Sequence, residues 1–557
     1  MAKNQLYYGD NLTVLRDYIK DESVDLIYLD PPFNSRADYN VLFAEKDGTR
    51  SSSQITAFED TWEWNIDAEH AFQSVVEGGG RVAEAMRAFR TFLGASDMMA
   101  YLAMMAPRLI ALRSVLKVTG SIYLHCDPTA SHYLKMLMDA IFGAGCFLNE
   151  IIWKRTFAHG YSKRFGPIHD IILFYAKSDA YFWANLRAPH DPSYIEKHFT
   201  LVDDVGRHFS PITLTGSGVR NGDSGKPWRD IDPTRVKRHW AVPGRQAEAL
   251  GLQGTVQEKL DQLDAAGLIY WPEKDGGTPR LKWYADELEG TSLQDIWIDI
   301  PPISANAAER LRYPTQKPEA LLERIIKASS NEGEVVLDPF CGCGTAVAAA
   351  QGLNRRWIGI DVTHLAIGLI KQRLHDKFGE AIKGTYEIHG EPTDLAGARK
   401  LAEDDKFQFE AWALSLVGAR PAGQVRRGAD KGVDGRLYFH DDNSGKSKQI
   451  ILSVKGGHVE HSHVRDLRGV LDREQAEIGV FITLEAATKP MEKEAASAGF
   501  YKSPAFQDRA FPRIQILTID EILAGKGIEL PRLLEVTFKQ APKAKAAKAE
   551  NLTLDLG

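Results

Sequence analysis

Apolar positions in this chain gather into short runs rich in β-formers, each closed by a turn-forming cluster. Val24-Asp25-Leu26-Ile27-Tyr28-Leu29 reads as a strand, and the prolines after Asp30 cannot continue a ladder, so a turn begins there. Glu334-Val335-Val336-Leu337 is a second strand, Asp338 to Thr345 a glycine-rich turn, and the alanine-rich segment from Ala346 to Ala350 a strong helix start. Arg356 to Asp361 adds a strand with an acidic end. Gly120 to Asp127 and Thr385 to Ile388 read as further strands, and Glu319 to Ser330 and Leu365 to Phe378 as helices. This alternation predicts an α/β fold with ligands at the carboxyl edge of its sheet.

Two boxes at that edge carry candidate chemistry. In Asp30-Pro31-Pro32-Phe33 the Asp30 carboxylate and the Pro31 carbonyl are both acceptors, which suits an amine donor. The amino nitrogen of adenine or cytosine is a poor nucleophile because its lone pair is delocalised into the ring. Two acceptors would draw it toward a tetrahedral state able to attack a methyl sulfonium in line. Phe33 would stack on a base flipped from duplex DNA. In the second box, Gly342 and Gly344 permit tight turning and close backbone approach to a ligand, and Asp361 is placed for ribose hydroxyls. Gly342-Cys343-Gly344-Thr345 lacks the third glycine of a dinucleotide fingerprint, which disfavours pyrophosphate.

In these boxes and their order the sequence resembles the beta group of DNA amino-methyltransferases. The resemblance extends to Tyr8-Gly9-Asp10-Asn11, to the strand from Gly120 to Asp127, and to Tyr313-Pro314-Thr315-Gln316-Lys317-Pro318 before the cofactor loop. It implies a Rossmann-like methyltransferase domain using S-adenosyl-L-methionine on double-stranded DNA. Asp30, Pro31, Pro32 and Phe33 would form the catalytic box. Asp10, Gln316, Lys317, Pro318, Asp338, Pro339, Phe340, Gly342, Gly344, Thr345 and Asp361 would form the cofactor site. Asp at the first box position resembles adenine N6 enzymes, with cytosine N4 the alternative. Cys341 and Cys343 would line the cofactor turn.

Composition adds little: 557 residues, 44% hydrophobic, net charge −7. No signal-peptide pattern and no bilayer-length apolar run stand out, so a soluble cytoplasmic protein without membrane partners is expected. A net negative chain still binds DNA when its basic residues share a face. About 153–302, Lys226-Pro227-Trp228-Arg229 and Lys237-Arg238-His239-Trp240 interleave bases with aromatics in a glycine-punctuated, poorly periodic stretch, expected to be an inserted target-recognition region. A second irregular stretch, Asn34 to Gly94, suggests a DNA clamp or a dimerisation element.

The methyltransferase domain is expected over 1–395. Beyond it, Phe407 to Leu414 reads as an amphipathic helix, and Gly432 to Phe439 and Gln449 to Lys455 as a hairpin about Asn443-Ser444-Gly445. With Glu410, Asp434 and Lys455 so placed, 400–535 resembles the Mrr-like branch of restriction endonucleases, a smaller α/β fold. That resemblance implies Mg²⁺ held by Asp434 and a backbone carbonyl beside Lys455. The position two before the lysine, usually acidic in this superfamily, is Ser453. The alternatives are a bifunctional restriction endonuclease and a nuclease fold kept to bind DNA or to pack against the first domain. A homodimer or a restriction-system partner subunit would fit either. Residues 540–557 form a basic, low-complexity tail.

Overall fold

The computed structural model describes residues 3–32, 63–157, 163, 165–272, 277–304, 307, 309–311, 313, 315–422, 432–441, 447–503, 509–531 and 534–535. Phe33, all of 34–62, the turn at 443–445 and the basic tail lie outside them.

One large sheet comprises β1 (Asn4–Tyr8), β2 (Val24–Leu29), β3 (Leu116–Cys126), β4 (Phe147–Lys154), β5 (His169–Ala176), β6 (Ile296–Trp297), β7 (Val335–Asp338), β8 (Arg356–Asp361) and β9 (Tyr386–His389). Its order is β6-β4-β5-β3-β2-β7-β8-β1-β9. Neighbours run parallel except that β5 opposes both β3 and β4. Every β2 position is buried, as a parallel strand covered on both faces requires. Ile27 and Leu29 belong to the core on one side of the sheet, and Leu26 and Tyr28 to the core on the other. The first layer is built by α1 (Asn11–Asp17), α2 (Ile66–Glu77), α3 (Gly80–Leu93), α4 (Asp97–Val115) and α5 (Ser131–Phe142). The second is built by α6 (Glu319–Ser329), α7 (Thr345–Gly352) and α8 (His364–Phe378).

The structure corrects three expectations. Much of the stretch ending at Gly94 is helical: α2 and α3 bury Phe72, Val75, Ala83, Met86 and Phe89 on one stripe. Helix α4 is long and apolar enough to cross a membrane, contrary to the expectation of no such run, yet 78% of its apolar window is buried inside the protein. Finally, 153–302 is not one insertion. His169–Ala176 is an interior sheet strand, and Asn185–Gln294 forms its own compact unit.

That unit has a four-stranded antiparallel sheet from Leu201–Val202, His208–Thr213, Ile269–Tyr270 and Arg280–Tyr284. Its core is Leu214, Trp228, Trp240, Leu260, Leu263, Ile269 and Leu281. The tryptophans of both basic-aromatic clusters therefore sit inside, with His239 buried beside them and Arg238 half-buried, while Lys226, Arg229 and Lys237 are exposed. Helical content was missed because its apolar positions are few: Val256–Ala265 buries only Leu260 and Leu263, held by a Thr255/Glu258 capping box.

The C-terminal part carries α9 (Leu395–Asp404), α10 (Lys406–Leu416), β10 (Arg420–Pro421), β11 (Gly435–His440), β12 (Lys448–Lys455), α11 (His461–Glu474), β13 (Ile478–Thr483), α12 (Lys489–Ser497), β14 (Ile514–Thr518) and β15 (Leu534–Glu535). Its sheet runs β10-β11-β12-β13-β14, with β15 also on β11. β11 and β12 are antiparallel, as the hairpin pattern implies, and β12, β13 and β14 are parallel. Helices α9 and α10 cover one face, α11 and α12 the other.

Candidate active site

Three carboxylates meet at one edge of the large sheet because they end three adjacent strands. Asp30 follows β2, Asp338 closes β7 and Asp361 closes β8; β7 pairs with β2 through Leu337↔Ile27 and with β8 through Asp338↔Gly359. Pro31 is buried and Pro32 half-buried. Lys317, expected beside the cofactor, reaches the catalytic box, its Nζ 2.5 Å from Asp30 Oδ2. Both side chains are shielded, at 10% and 15% exposure.

Burial dominates the electrostatics of this edge. It pushes the Asp338 carboxyl well above the usual range, and the charges of Asp30 and Asp361 add to the shift. The Phe340 N–H, donating to Asp338 Oδ1 at 3.1 Å, and Lys317 oppose it. Burial likewise pushes Asp361 up to about 6, against hydrogen bonds from Thr363 and Gly342. Crowded, desolvated carboxylates of this kind favour a cationic or hydroxyl-rich ligand that restores what water no longer supplies.

The glycine-rich turn is held by backbone and side chain together. Cys341 N–H donates to Ile360 O, and Gly344 N–H to Cys341 O at 2.7 Å. Gly344 is left-handed at φ +74°, and a Cβ there would lie 2.6 Å from Ile370 Cγ1. Gly342, at φ +48°, lies under Tyr313, whose Cε1 a Cβ would approach to 3.2 Å. Gly342 N–H donates to Asp361 Oδ2 at 2.9 Å, and Thr363 donates to Asp361 Oδ1 from its backbone and its hydroxyl. Asp361 thus secures the turn in addition to any ligand contact. Arg373 on α8 donates to Cys343 O at 3.1 Å and to Thr345 Oγ1 at 2.9 Å. Cys341 and Cys343 are buried in this turn, and burial raises both thiols.

Other expected cofactor residues are already engaged. Asp10 caps α1 by accepting from Thr13 N–H, and its Oδ2 lies 2.5 Å from Arg108 Nη2. Arg108 also donates to Asn11 Oδ1, and Asn11 donates to Pro339 O at 2.8 Å, which ties β1's exit to the second box. The Gln316 amide closes its own loop, accepting from Leu311 N–H and donating to Glu309 O. Pro318 begins α6, and Phe340 packs half-buried against the first core.

Sequence reasoning missed Arg108 and Arg373, whose helical positions look apolar-adjacent and ordinary. It also missed a buried chain beneath the first box. Tyr28 Oη lies 2.9 Å from His125 Nδ1, His125 Nε2 lies 3.1 Å from Asp170 Oδ2, and Arg155 Nε lies 3.2 Å from Asp170 Oδ1. Although burial would raise Asp170, His125, Lys317 and Arg155 hold it below its ordinary value. The polar His-Asp start of an otherwise apolar β5 was the available signal.

Residues 24–372 match the family model for DNA methylases. The chain belongs to the DNA methylase family. The methylase is 30% identical over 385 residues to the type II methyltransferase M.EcaI of Enterobacter cloacae, covering 69% of this chain and 71% of that one. It is 30% identical over 367 residues to the StyLTI Mod subunit, a type III restriction-modification enzyme of Salmonella typhimurium, covering 63% of this chain and half of the subunit. The solved PvuII cytosine-N4-specific DNA methyltransferase aligns with 70% of this chain and 95% of its own, at 11% identity and a TM-score of 0.30.

A restriction-endonuclease model matches residues 401–506, so the methylase carries a nuclease-type domain on the same chain. There Asp434, just before β11, faces the end of β12. Its Oδ2 accepts from Val454 N–H at 2.7 Å and from the Ser453 hydroxyl at 3.1 Å, and lies 3.6 Å from Lys455 Nζ. The serine at the usually acidic position thus donates to the aspartate. Glu410 stands half-buried on α10. Among the described residues no three His, Cys, Asp or Glu side chains group as a metal cluster would require.

Proposed function

We propose that the protein transfers the methyl group of S-adenosyl-L-methionine to adenine N6 in double-stranded DNA, within a restriction-modification or phage-defence system. The observation carrying this reading is the shared edge of Asp30, Asp338 and Asp361 on three adjacent strands. The donor set suits the cofactor: acceptor carboxylates for its ammonium and ribose hydroxyls, and a glycine turn with no Cβ between backbone and ligand. When bound, the cofactor supplies an electrophilic methyl. Asp30 and the Pro31 carbonyl orient the amine, Lys317 holds the Asp30 carboxylate in place until the amine arrives, and Asp338 and Asp361 accept from the cofactor. The amine proton leaves after the methyl has arrived, so no strongly basic group is needed. Asp at the head of the box favours adenine.

The test is incubation with the cofactor and unmodified genomic DNA, without Mg²⁺, followed by single-molecule mapping of modified bases. N6-methyladenine at one recurring motif is expected. Marks on cytosine N4 would transfer the same machinery to the other amine, and no marks on bound DNA would refute methylation.

A second activity, DNA cleavage by the C-terminal domain, is favoured by the Asp434–Lys455 approach. Mg²⁺ keeps several waters and takes one or two carboxylates with phosphate oxygens, so Asp434 and a carbonyl beside Lys455 are ligands of the right kind. The ion would neutralise charge developing on phosphate. Mg²⁺-dependent cutting that disappears with Lys455→Ala tests it.

A further inference from the structure

The helix leading away from the cofactor edge is completed by a side chain of the nuclease-type domain. Helix α8 begins directly after Asp361-Val362-Thr363, and its first amide donors have no partner within the helix. Thr363 N–H is met by Asp361 Oδ1 and Ala366 N–H by Thr363 Oγ1. His364 N–H is met by Gln408 Oε1, on α10, at 2.9 Å. Both residues are buried, at 0% and 3% exposure. Gln408 is itself fixed, because Asp405 caps α10 by accepting its backbone N–H at 3.1 Å.

The contact is tight on either side. Gly368 of α8 lies so close to α10 that a Cβ would stand 2.9 Å from Ser415 Cβ. The His364 ring stacks on Tyr8 at 3.7 Å between centroids, and Tyr8 is the register partner of Asp361. A short chain therefore links the domains: Gly342 N–H to Asp361, Asp361 to Thr363, and the next residue, His364, to Gln408.

We infer that Gln408 is a positioning residue for the cofactor edge, so that the nuclease-type domain forms part of the methylation machinery and cofactor binding is felt in α10. This rests on the cofactor reading of Asp361. Removing the acceptor leaves a buried N–H unsatisfied at the helix start, and Thr363 and Asp361 lose their fixed register. By reciprocity, whatever Gln408 adds to cofactor affinity, the cofactor returns to the seating of α10.

The test uses the full chain. Gln408→Met keeps the shape and removes the acceptor; Gln408→Glu keeps an acceptor. The Met variant should raise the cofactor Kd and KM about tenfold with kcat at saturating cofactor little changed, and the Glu variant should recover most of the loss. An unchanged Kd in the Met variant overturns the inference, as does equal loss in both variants. Asp361→Ala separates the two readings: if it too leaves Kd unchanged, the cofactor site itself is misplaced. Should Gln408→Met fail to fold, hydrogen exchange on the wild type decides. Saturating cofactor should slow exchange across Lys406–Leu416, and unaltered exchange there overturns the inference.

Discussion

Lys317 Nζ lies 2.5 Å from Asp30 Oδ2, joining residues 287 positions apart, just where an incoming amine would need the same carboxylate. The pair is shielded; in the proposed reaction the lysine would hold the carboxylate in the free protein and would yield or share it when the amine binds.

Lys317→Met should lower kcat for methylation by about a hundredfold, the scale of a misplaced reacting group. Cofactor affinity, measured by calorimetry, should stay close to wild type. A matching loss of cofactor binding would instead return Lys317 to the cofactor site.

Cofactor affinity should depend on pH through Asp361. Burial raises this carboxyl to about 6, so in the free protein it holds its proton below about that pH and is ionised above it. Its contribution to folding stability is therefore present at low pH and lost as pH rises through about 6. Binding has the opposite sign, since an acceptor is required. The Kd should worsen about tenfold per pH unit below that value and level off above it, with proton release on binding between. A flat profile from pH 5 to 8 would remove Asp361 from the binding site.

Gly344→Ala combines a left-handed backbone with a close approach to Ile370 Cγ1. It should cost about 1–3 kcal/mol in denaturant unfolding and weaken cofactor binding as well. Gly342→Ala, whose nearest neighbour is the Tyr313 ring edge, should cost less. Equal costs would mean that the Ile370 contact is easily relieved.

In the C-terminal domain, Lys455→Ala should abolish Mg²⁺-dependent cleavage and leave methylation intact. Asp434→Ala should do the same but also lower stability by about 1–3 kcal/mol, because the buried Val454 N–H loses its acceptor. Cleavage surviving Lys455→Ala would exclude this site from the reaction.

Local order was legible in the sequence wherever one stretch carries its own signal. Short apolar runs rich in β-formers ending at Asp30, Asp338 and Asp361 placed all three carboxylates at strand ends, and the β11–β12 hairpin followed from its β-formers and turn residues. Signals failed where apolar positions were sparse, as in Val256–Ala265, or where a turn-rich composition concealed helices, as in α2 and α3.

By itself, then, the sequence determined which residues end strands, where the chain turns on glycine and proline, and that two α/β units share one chain, because these follow from periodicity and backbone stereochemistry within a few residues. Tertiary structure alone decided that Lys317 meets Asp30, that Arg108 meets Asp10, that Asp170 reaches His125, and that Gln408 completes α8. Each of those partnerships depends on burial bringing distant polar groups together, where desolvation makes an unmatched donor or acceptor costly; no local pattern encodes which distant partner will answer it.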